Sequence, residues 1–319
     1  MSRLAGVCVW TLAWLATAGC AERGADRLPA GVEAISLLGD TLRAPPLSDS
    51  VRQAREAELA DARAVLEREP NSADALIWVG RRLAYLGRYR DAVAVFSDGI
   101  ERFANDARFY RHRGHRYITL RQFDRAIHDF ERAADLVAGT PDEVEPDGQP
   151  NARGIPTSTL QFNIWYHLGL AYYLKGDFEN ALRSYRQCLA VSNNPDAVVA
   201  TSHWLYMTLR RLGRSAEAAQ LLEPIAPDMD IIENDAYHRL LLMYKGIFPP
   251  DSLYRPTGSG EVSLQDVTTA YGVGNWHLYN EHPAEADLVF RAIVAGRNQW
   301  AAFGYIAAEA ELARSAVER

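Results

Sequence analysis

Four pairs of residues in the first half of this chain stand 34 positions apart: Gly80 and Gly114, Tyr89 and Phe123, Ala92 and Ala126, Phe96 and Phe130. A recurring interval of that length means one supersecondary unit used again, so the chain cannot be read as an ordinary compact domain. Within a unit, Leu76, Val79, Gly80 and Leu83 fall at i, i+3, i+4 and i+7, one face of a helix. Gly87-Arg88-Tyr89 interrupts it, and Ala92, Val95, Phe96 and Gly99 line a second helix. Small residues mark where two helices approach closely, and rings fill the space beside them.

The pattern continues through the chain with increasing damage. Trp165, Leu168, Gly169, Tyr172, Gly176, Phe178, Ala181 and Tyr185 form the most complete unit, with Cys188 at its last small position. A fourth unit runs through Leu205, Leu209, Gly213, Ala218 and Leu222 and is cut short by Pro224. A fifth keeps its first helix at 236–244, but Pro249-Pro250 and a Gly/Ser stretch replace most of its second. A sixth returns with Gly274, His277, Ala286 and Phe290.

These residues resemble the tetratricopeptide repeat (TPR), whose signature is a small residue, an aromatic, a turn glycine, another aromatic, then Ala and Phe or Tyr at fixed steps. The resemblance implies an all-α fold, a right-handed α-solenoid of tandem helical hairpins with a C-terminal closing helix. Units are expected near 73–106, 107–140, 162–195, 199–226, a degenerate 231–260, and 267–296, within a superhelix at 50–319. The closing helix is expected at 300–315, and an insertion at 141–161. A helix at 51–66 precedes the first unit.

The first twenty residues are of another kind. Arg3 precedes an almost uncharged apolar run at 4–18, shorter than the roughly twenty residues that span a bilayer. It ends in Thr17-Ala18-Gly19-Cys20, which resembles a bacterial lipobox, with Thr17 in place of the commoner leucine. The resemblance implies a lipoprotein signal at 1–19 and a lipid on Cys20. Ala21 leans toward the outer membrane, facing the periplasm. An ordinary secretory signal cut near a cysteine is the alternative. Residues 20–49, rich in Gly, Pro and charge, read as a flexible tether with one short apolar turn at 35–38.

In TPR proteins the concave groove is lined by the first helix of each unit. The resemblance puts Arg81, Tyr85, Arg108, Arg111, His115 and Asn163 there. Tyr166, Tyr173, His203, Met207 and Arg210 follow, with His112 and His167 beside them. Arginine forks and phenols suit carboxylates and extended peptides, so the groove is expected to take an acidic or C-terminal peptide segment. The alternative is that these arginines are paired with acids of the same chain. The insertion carries Asp142, Glu143, Glu145 and Asp147, opposite in sign to the groove, and is long enough to lie across it or occupy it.

A net charge of −7 disfavours nucleic acid, whose binders carry a basic surplus. Three cysteines make no disulfide framework and match no zinc spacing. His112 and His115, with His167, could chelate a metal, but no carboxylate or cysteine is spaced to join them. No metal or other cofactor is expected, and Cys188 reads as a small core residue rather than a nucleophile. Nor is there an HExxH, a phosphate loop or a nucleophile elbow. The expectation is a non-enzymatic adaptor in a bacterial envelope, lipid-anchored, binding an envelope protein or peptide. Its layout is similar to NlpI-type lipoproteins, adaptors that bring peptidoglycan hydrolases to a protease. A small-ligand or peptide pocket closed by 141–161 is the alternative.

Overall fold

The computed structural model describes residues 28–255 and 263–317, so the lipobox and Cys20 lie outside the described residues. From Gly31 onward the chain forms one unit. A leading helix α1 (Asp49–Arg68) is followed by paired helices: α2 (Ala73–Tyr85) with α3 (Tyr89–Arg102), and α4 (Ala107–Thr119) with α5 (Phe123–Val137). Next come α6 (Leu160–Lys175) with α7 (Phe178–Val191), and α8 (Pro195–Arg211) with the short α9 (Ser215–Leu221). Then α10 (Asp235–Tyr244) stands alone before a 3-10 turn at Pro250–Ser252, α11 (Leu264–Tyr279) pairs with α12 (Pro283–Ala295), and α13 (Phe303–Val317) ends the described chain.

Each first helix starts where a short polar side chain can take an orphan backbone N–H. Ser72 accepts from Ala75 at 3.2 Å, Thr159 from Phe162 at 3.2 Å and Asn194 from Ala197 at 2.9 Å, with Pro195 opening α8. Ser263 and Asp266 make a reciprocal capping box at the start of α11.

The hairpins close on a glycine set against a ring sixteen positions later. A Cβ built on Gly80 would lie 2.3 Å from the Phe96 ring, one on Gly114 3.0 Å from Phe130, and those on Gly169 and Gly274 2.7 Å from Tyr185 and Phe290. The intervals 80–96, 114–130, 169–185 and 274–290 are equal. Phe96, Phe130 and Tyr185 are almost wholly buried. In the fourth unit the same two positions hold Tyr206 and Leu222, with the bulk on the opposite helix. Tyr206 then stacks on Tyr244 of α10, centroids 4.5 Å apart.

Between paired helices the chain turns through a left-handed residue, glycine at Gly87, Gly176 and Gly213. At the same place in two other units stand Arg121 (φ 62°) and Glu281 (φ 66°). A side chain there costs about 1 kcal/mol or more. For Arg121 the return is visible: its guanidinium pairs with Glu309 of α13 at 2.9 Å and donates to the carbonyls of Thr119 and Trp300.

Two expectations are corrected. The segment expected as tether is ordered from 31 on, as an antiparallel hairpin of β1 (Val32–Ile35) and β2 (Thr41–Arg43). Val32, Ala34 and Leu42 face inward, and Ser36 Oγ accepts from Leu38 and Asp40 to form the turn. The hairpin is pinned by Trp300 Nε1, which donates to the Arg43 carbonyl, and by Glu33, which accepts from the Arg90 amide at 2.9 Å. Three inward residues among Gly, Pro and charge are too few to show as a period of two.

The second correction concerns α13. It does not only finish the stack beside α11 and α12; it also turns into the concave side against α6. Arg211 of α8 reaches Glu311 at 2.7 Å, Arg314 donates to the Leu174 carbonyl, and Phe303 packs on His115 and His167.

Two outcomes follow for stability. Alanine is favoured over glycine by up to about 1 kcal/mol inside a helix, whereas forcing bulk into a packed contact costs ~1–3 kcal/mol. Gly80→Ala should therefore lower the urea midpoint clearly, while Gly114→Ala, with 0.7 Å more room (3.0 against 2.3 Å), should be near neutral. Equal effects would refute the ring-contact account. Arg121→Gly relieves ~1 kcal/mol of backbone strain but strands buried Glu309, a loss of about 3–5 kcal/mol. A net loss of ~2–4 kcal/mol is expected, reduced when Glu309→Gln is added.

Candidate functional site

On the concave face the chain covers most of its own groove residues. Tyr173, fully buried, accepts from Asn275 at 2.6 Å and from Tyr271 at 3.0 Å, both on α11. Tyr166 donates to Tyr237 at the start of α10, and His203 is stacked between Tyr237 and Tyr244. Met207 is buried in the same layer. Arg210 lies over the Tyr279 ring, and its guanidinium donates to Tyr206 and Asn280. Arg108 is tied to Asp106 and Asp74 of its own chain. The open groove expected along α6 and α8 is thus corrected: α10, α11 and α13 fill it. An apolar face with tyrosine tips is equally good at packing against another helix.

The insertion crosses what is left. Its neck is closed by pairing of Val144 with Thr159, and Leu160 donates to the Glu143 carbonyl at 2.8 Å. On one side Glu145 lies 2.9 Å from Arg111 and accepts from Asn163 Nδ2 at 3.0 Å, while Arg81 donates to the Pro146 carbonyl at 2.8 Å. Gly148 passes so close to Tyr85 that a Cβ would fall 1.9 Å from its hydroxyl. On the other side Arg153 pairs with Asp230, and Asn151 and Thr157 both donate to Glu233.

Of the cavities beside this strap, His115 lines two. The larger of these two, of about 570 Å³, is bounded by Asp235 and Tyr237 of α10, Leu264 and Thr268 of α11, and Phe303. Glu233 and Asp235 sit at its edge and have no ion-pair partner among the described residues. The smaller, of about 130 Å³, lies under the insertion, between Arg81 and Tyr85 of α2, Arg111 and Arg116 of α4, and Glu145.

The histidines are part of this packing. His112 stacks on Phe96, and the Arg111 guanidinium, which can only donate, bonds its Nδ1 at 3.0 Å. That leaves the proton on Nε2 and the ring neutral. Burial, reinforced by Arg111, holds His112 well below the usual histidine range, and burial with neighbouring Arg116 does the same to His115. His167 donates from Nδ1 to the Asn163 carbonyl at 2.6 Å, and burial lowers it and His203 to about 3. Among the described residues no three His, Cys, Asp or Glu side chains are placed to hold a metal. Cys188 lies 3.1 Å from Thr201 Oγ1, and burial pushes its thiol up to about 12, far from a nucleophile's range.

The residues that sequence reasoning missed are Arg116, Tyr237, Leu264 and Phe303. Arg116 was within reach, being on the same helix as Arg111. The other three arrive from 120 or more residues away in sequence from the His115 they meet, and no local pattern marks them.

Residues 162–194 match the family model of the tetratricopeptide repeat. Among solved structures, the chain is similar to MamA, with 16% identity over 64% of this chain and 98% of that one, at a TM-score of 0.42. It is also similar to YrrB, described as a TPR protein with an unusual peptide-binding site, with 15% identity over 81% and 98% at 0.42. A putative kinesin light chain of Podosopora anserina with TPR-like repeats gives 15% identity over 72% and 95%, also at 0.42. No curated protein matches the chain.

The buried His112, His167 and His203, with the half-buried His115, set a direction for stability with pH. Folded, His112, His115, His167 and His203 stay neutral; unfolded, each binds a proton near 6.5. The unfolded state therefore holds more protons below 6.5, and stability falls as pH drops from 6.5 toward 3, by up to about 1.4 kcal/mol per pH unit per histidine. Urea midpoints should be lower at pH 5.5 than at 7.5, and His203→Phe should reduce the difference. A midpoint constant over that range would overturn the assignment.

Proposed function

We propose that this protein is a non-enzymatic docking scaffold of a bacterial envelope, held by a lipid on Cys20 at the periplasmic face of the outer membrane. Its cleft of about 570 Å³ seats an apolar segment of an envelope protein flanked by lysine or arginine. The observation that carries this reading is the cleft itself. Its floor is Tyr237, Leu264, Ala301, Ala302 and Phe303, and its volume is in the ordinary range for a binding pocket. Leu264 is 59% exposed, a large apolar side chain with no cover among the described residues. Glu233 and Asp235 at the edge supply charge complementary to a basic flank.

The charge preference departs from an acidic segment, because two of the arginines that suggested one, Arg108 and Arg111, are engaged with Asp74, Asp106 and Glu145, and Arg210 lies against Tyr279 and Asn280. A lipid on one cysteine leaves the repeat array free in the aqueous compartment and needs no spanning helix. The adaptor role implied by the NlpI-type layout is compatible with a partner docked in this cleft. The runner-up reading, a small-ligand pocket closed by 141–161, has its own support in the chamber beneath the insertion.

A photocrosslinking residue at Leu264, in the full chain in native membranes, tests the docking reading. The captured peptide should carry an apolar residue next to Lys or Arg, and Asp235→Lys should abolish capture while leaving the circular dichroism unchanged. Capture that persists in Asp235→Lys, or that is as strong from an outward position such as Leu288, would sink it. The anchor is read separately: Cys20→Ser should move the protein from the membrane to the soluble fraction, and retention would refute lipidation.

A further inference from the structure

The chamber under the insertion has a charge imbalance that its own walls do not settle. Three guanidiniums line it, those of Arg81, Arg111 and Arg116, against the single carboxylate of Glu145. Its two histidines, His112 and His115, are neutral at pH 7 because burial holds both well below the usual range. Three positive charges against one negative leave two in excess, in a partly buried place where charges are poorly screened.

Only Arg111 has a carboxylate beside it, Glu145; Arg81 and Arg116 pair with no acid among the described residues. Arg116 makes no ion pair and no side-chain hydrogen bond among the described residues; its only partner is the face of Tyr89, 5.5 Å away. Burial lowers it to about 10, the mark of a cation lacking a counter-charge, yet it remains protonated at neutral pH. Arg111 is 8% exposed; it shares Glu145 at 2.9 Å and bonds His112 Nδ1 at 3.0 Å, while its Nε–H finds no well-aligned acceptor. Arg81 spends its donors on the Pro146 carbonyl and the Tyr85 hydroxyl, neither of which carries charge. A volume of about 130 Å³ is several times what one water needs, roughly 10–15 Å³ of the same measure.

We propose that this chamber is a binding site for one small oxyanion, held between Arg81, Arg111 and Arg116 with the Tyr85 hydroxyl as a further donor. Planar guanidiniums present paired N–H groups that match the oxygens of a carboxylate or a phosphate. Chloride offers no such geometry. Glu145 competes for the same donors, and the absence of a side chain at Gly148 lets the insertion pass over Tyr85 as a roof. This site is independent of the docking cleft: it takes its charge from α2 and α4, and neither Asp235 nor Leu264 belongs to it.

Calorimetric titration of the full chain, at constant ionic strength set with chloride, tests the site with inorganic phosphate in one arm and acetate in the other. Saturable binding of either at one equivalent is expected, and the arm that binds tighter tells phosphate chemistry from carboxylate chemistry. Glu145→Gln removes the competing carboxylate and should tighten binding about tenfold, equivalent to ~1.4 kcal/mol. Arg116→Gln should weaken it at least as much, while Arg125→Gln, on the outer helix α5, should not change it. If Arg116→Gln proves unstable, the Glu145→Gln comparison still decides. No saturable heat in either arm, for wild type and Glu145→Gln alike, would overturn the proposal, as would binding unaltered in Arg116→Gln.

Discussion

The contact on which the rest of this molecule depends is a glycine pressed against an aromatic ring. Helix axes can approach only as far as side chains allow, and at Gly80, Gly114, Gly169 and Gly274 nothing stands between one backbone and the ring of its partner helix. Because ring and glycine are always sixteen residues apart, every such hairpin has the same geometry, and equal hairpins stack with a constant offset. The curvature that creates a concave face is the sum of those offsets. Where the fourth unit replaces glycine with Tyr206 and the ring with Leu222, the constraint lapses. The partner helix α9 is only seven residues long, and the next helix, α10, comes in to stack on Tyr206 instead. The change of direction that fills the groove begins there.

Charge then decides what the filled groove looks like. Glu309 and Glu311 on α13 are 1% and 3% exposed, and each meets an arginine from a remote repeat. Burying an ion pair gives little net stability, but burying either partner alone is costly, so the pairs act as a registry device: α13 has one depth and one rotation at which both acids are satisfied. At the α2–α4 end no such balance is reached. One acid, Glu145, stands against several arginines, and the space is left open rather than packed. The two ends of the concave face therefore behave differently, one as core and one as a cavity lined with cations.

The helical repeat was legible because its determinants are local: a glycine, a ring and an alanine at set intervals report the hairpin without knowledge of the rest of the chain. Residues 162–194, the most complete unit to the eye, are the stretch that the family model matches. The groove was legible as a list of positions and not as a surface. Arg111, Asn163 and Tyr173 lie where a first helix turns toward the concave side, but nothing near them in sequence says that Glu145, Tyr271 or Asn275 will cover them. Glu309 reads as solvent-facing until Arg121, 188 residues earlier, is beside it. The one local hint was Arg121 itself, a long side chain where three other units turn through glycine. The hairpin at 32–43 was hidden by composition, its pairing being too short to stand out.

The insertion and α13 have a mechanical consequence. A stack of helical hairpins touches only its neighbours, which makes it a spring: it can lengthen, shorten and fray from either end one unit at a time. Here Arg153 joins the insertion to Asp230 across 77 residues, and Arg121 joins the second hairpin to the last helix across 188. The exposed Arg153 pair is a weak tie, but the buried Arg121–Glu309 pair stiffens the spring against its soft modes. Pulling on one end loads the whole molecule, and no terminal unit can peel away without breaking a tie to a unit far along the chain. The protein is built from parts that would yield in sequence, yet it is fastened so that they yield together.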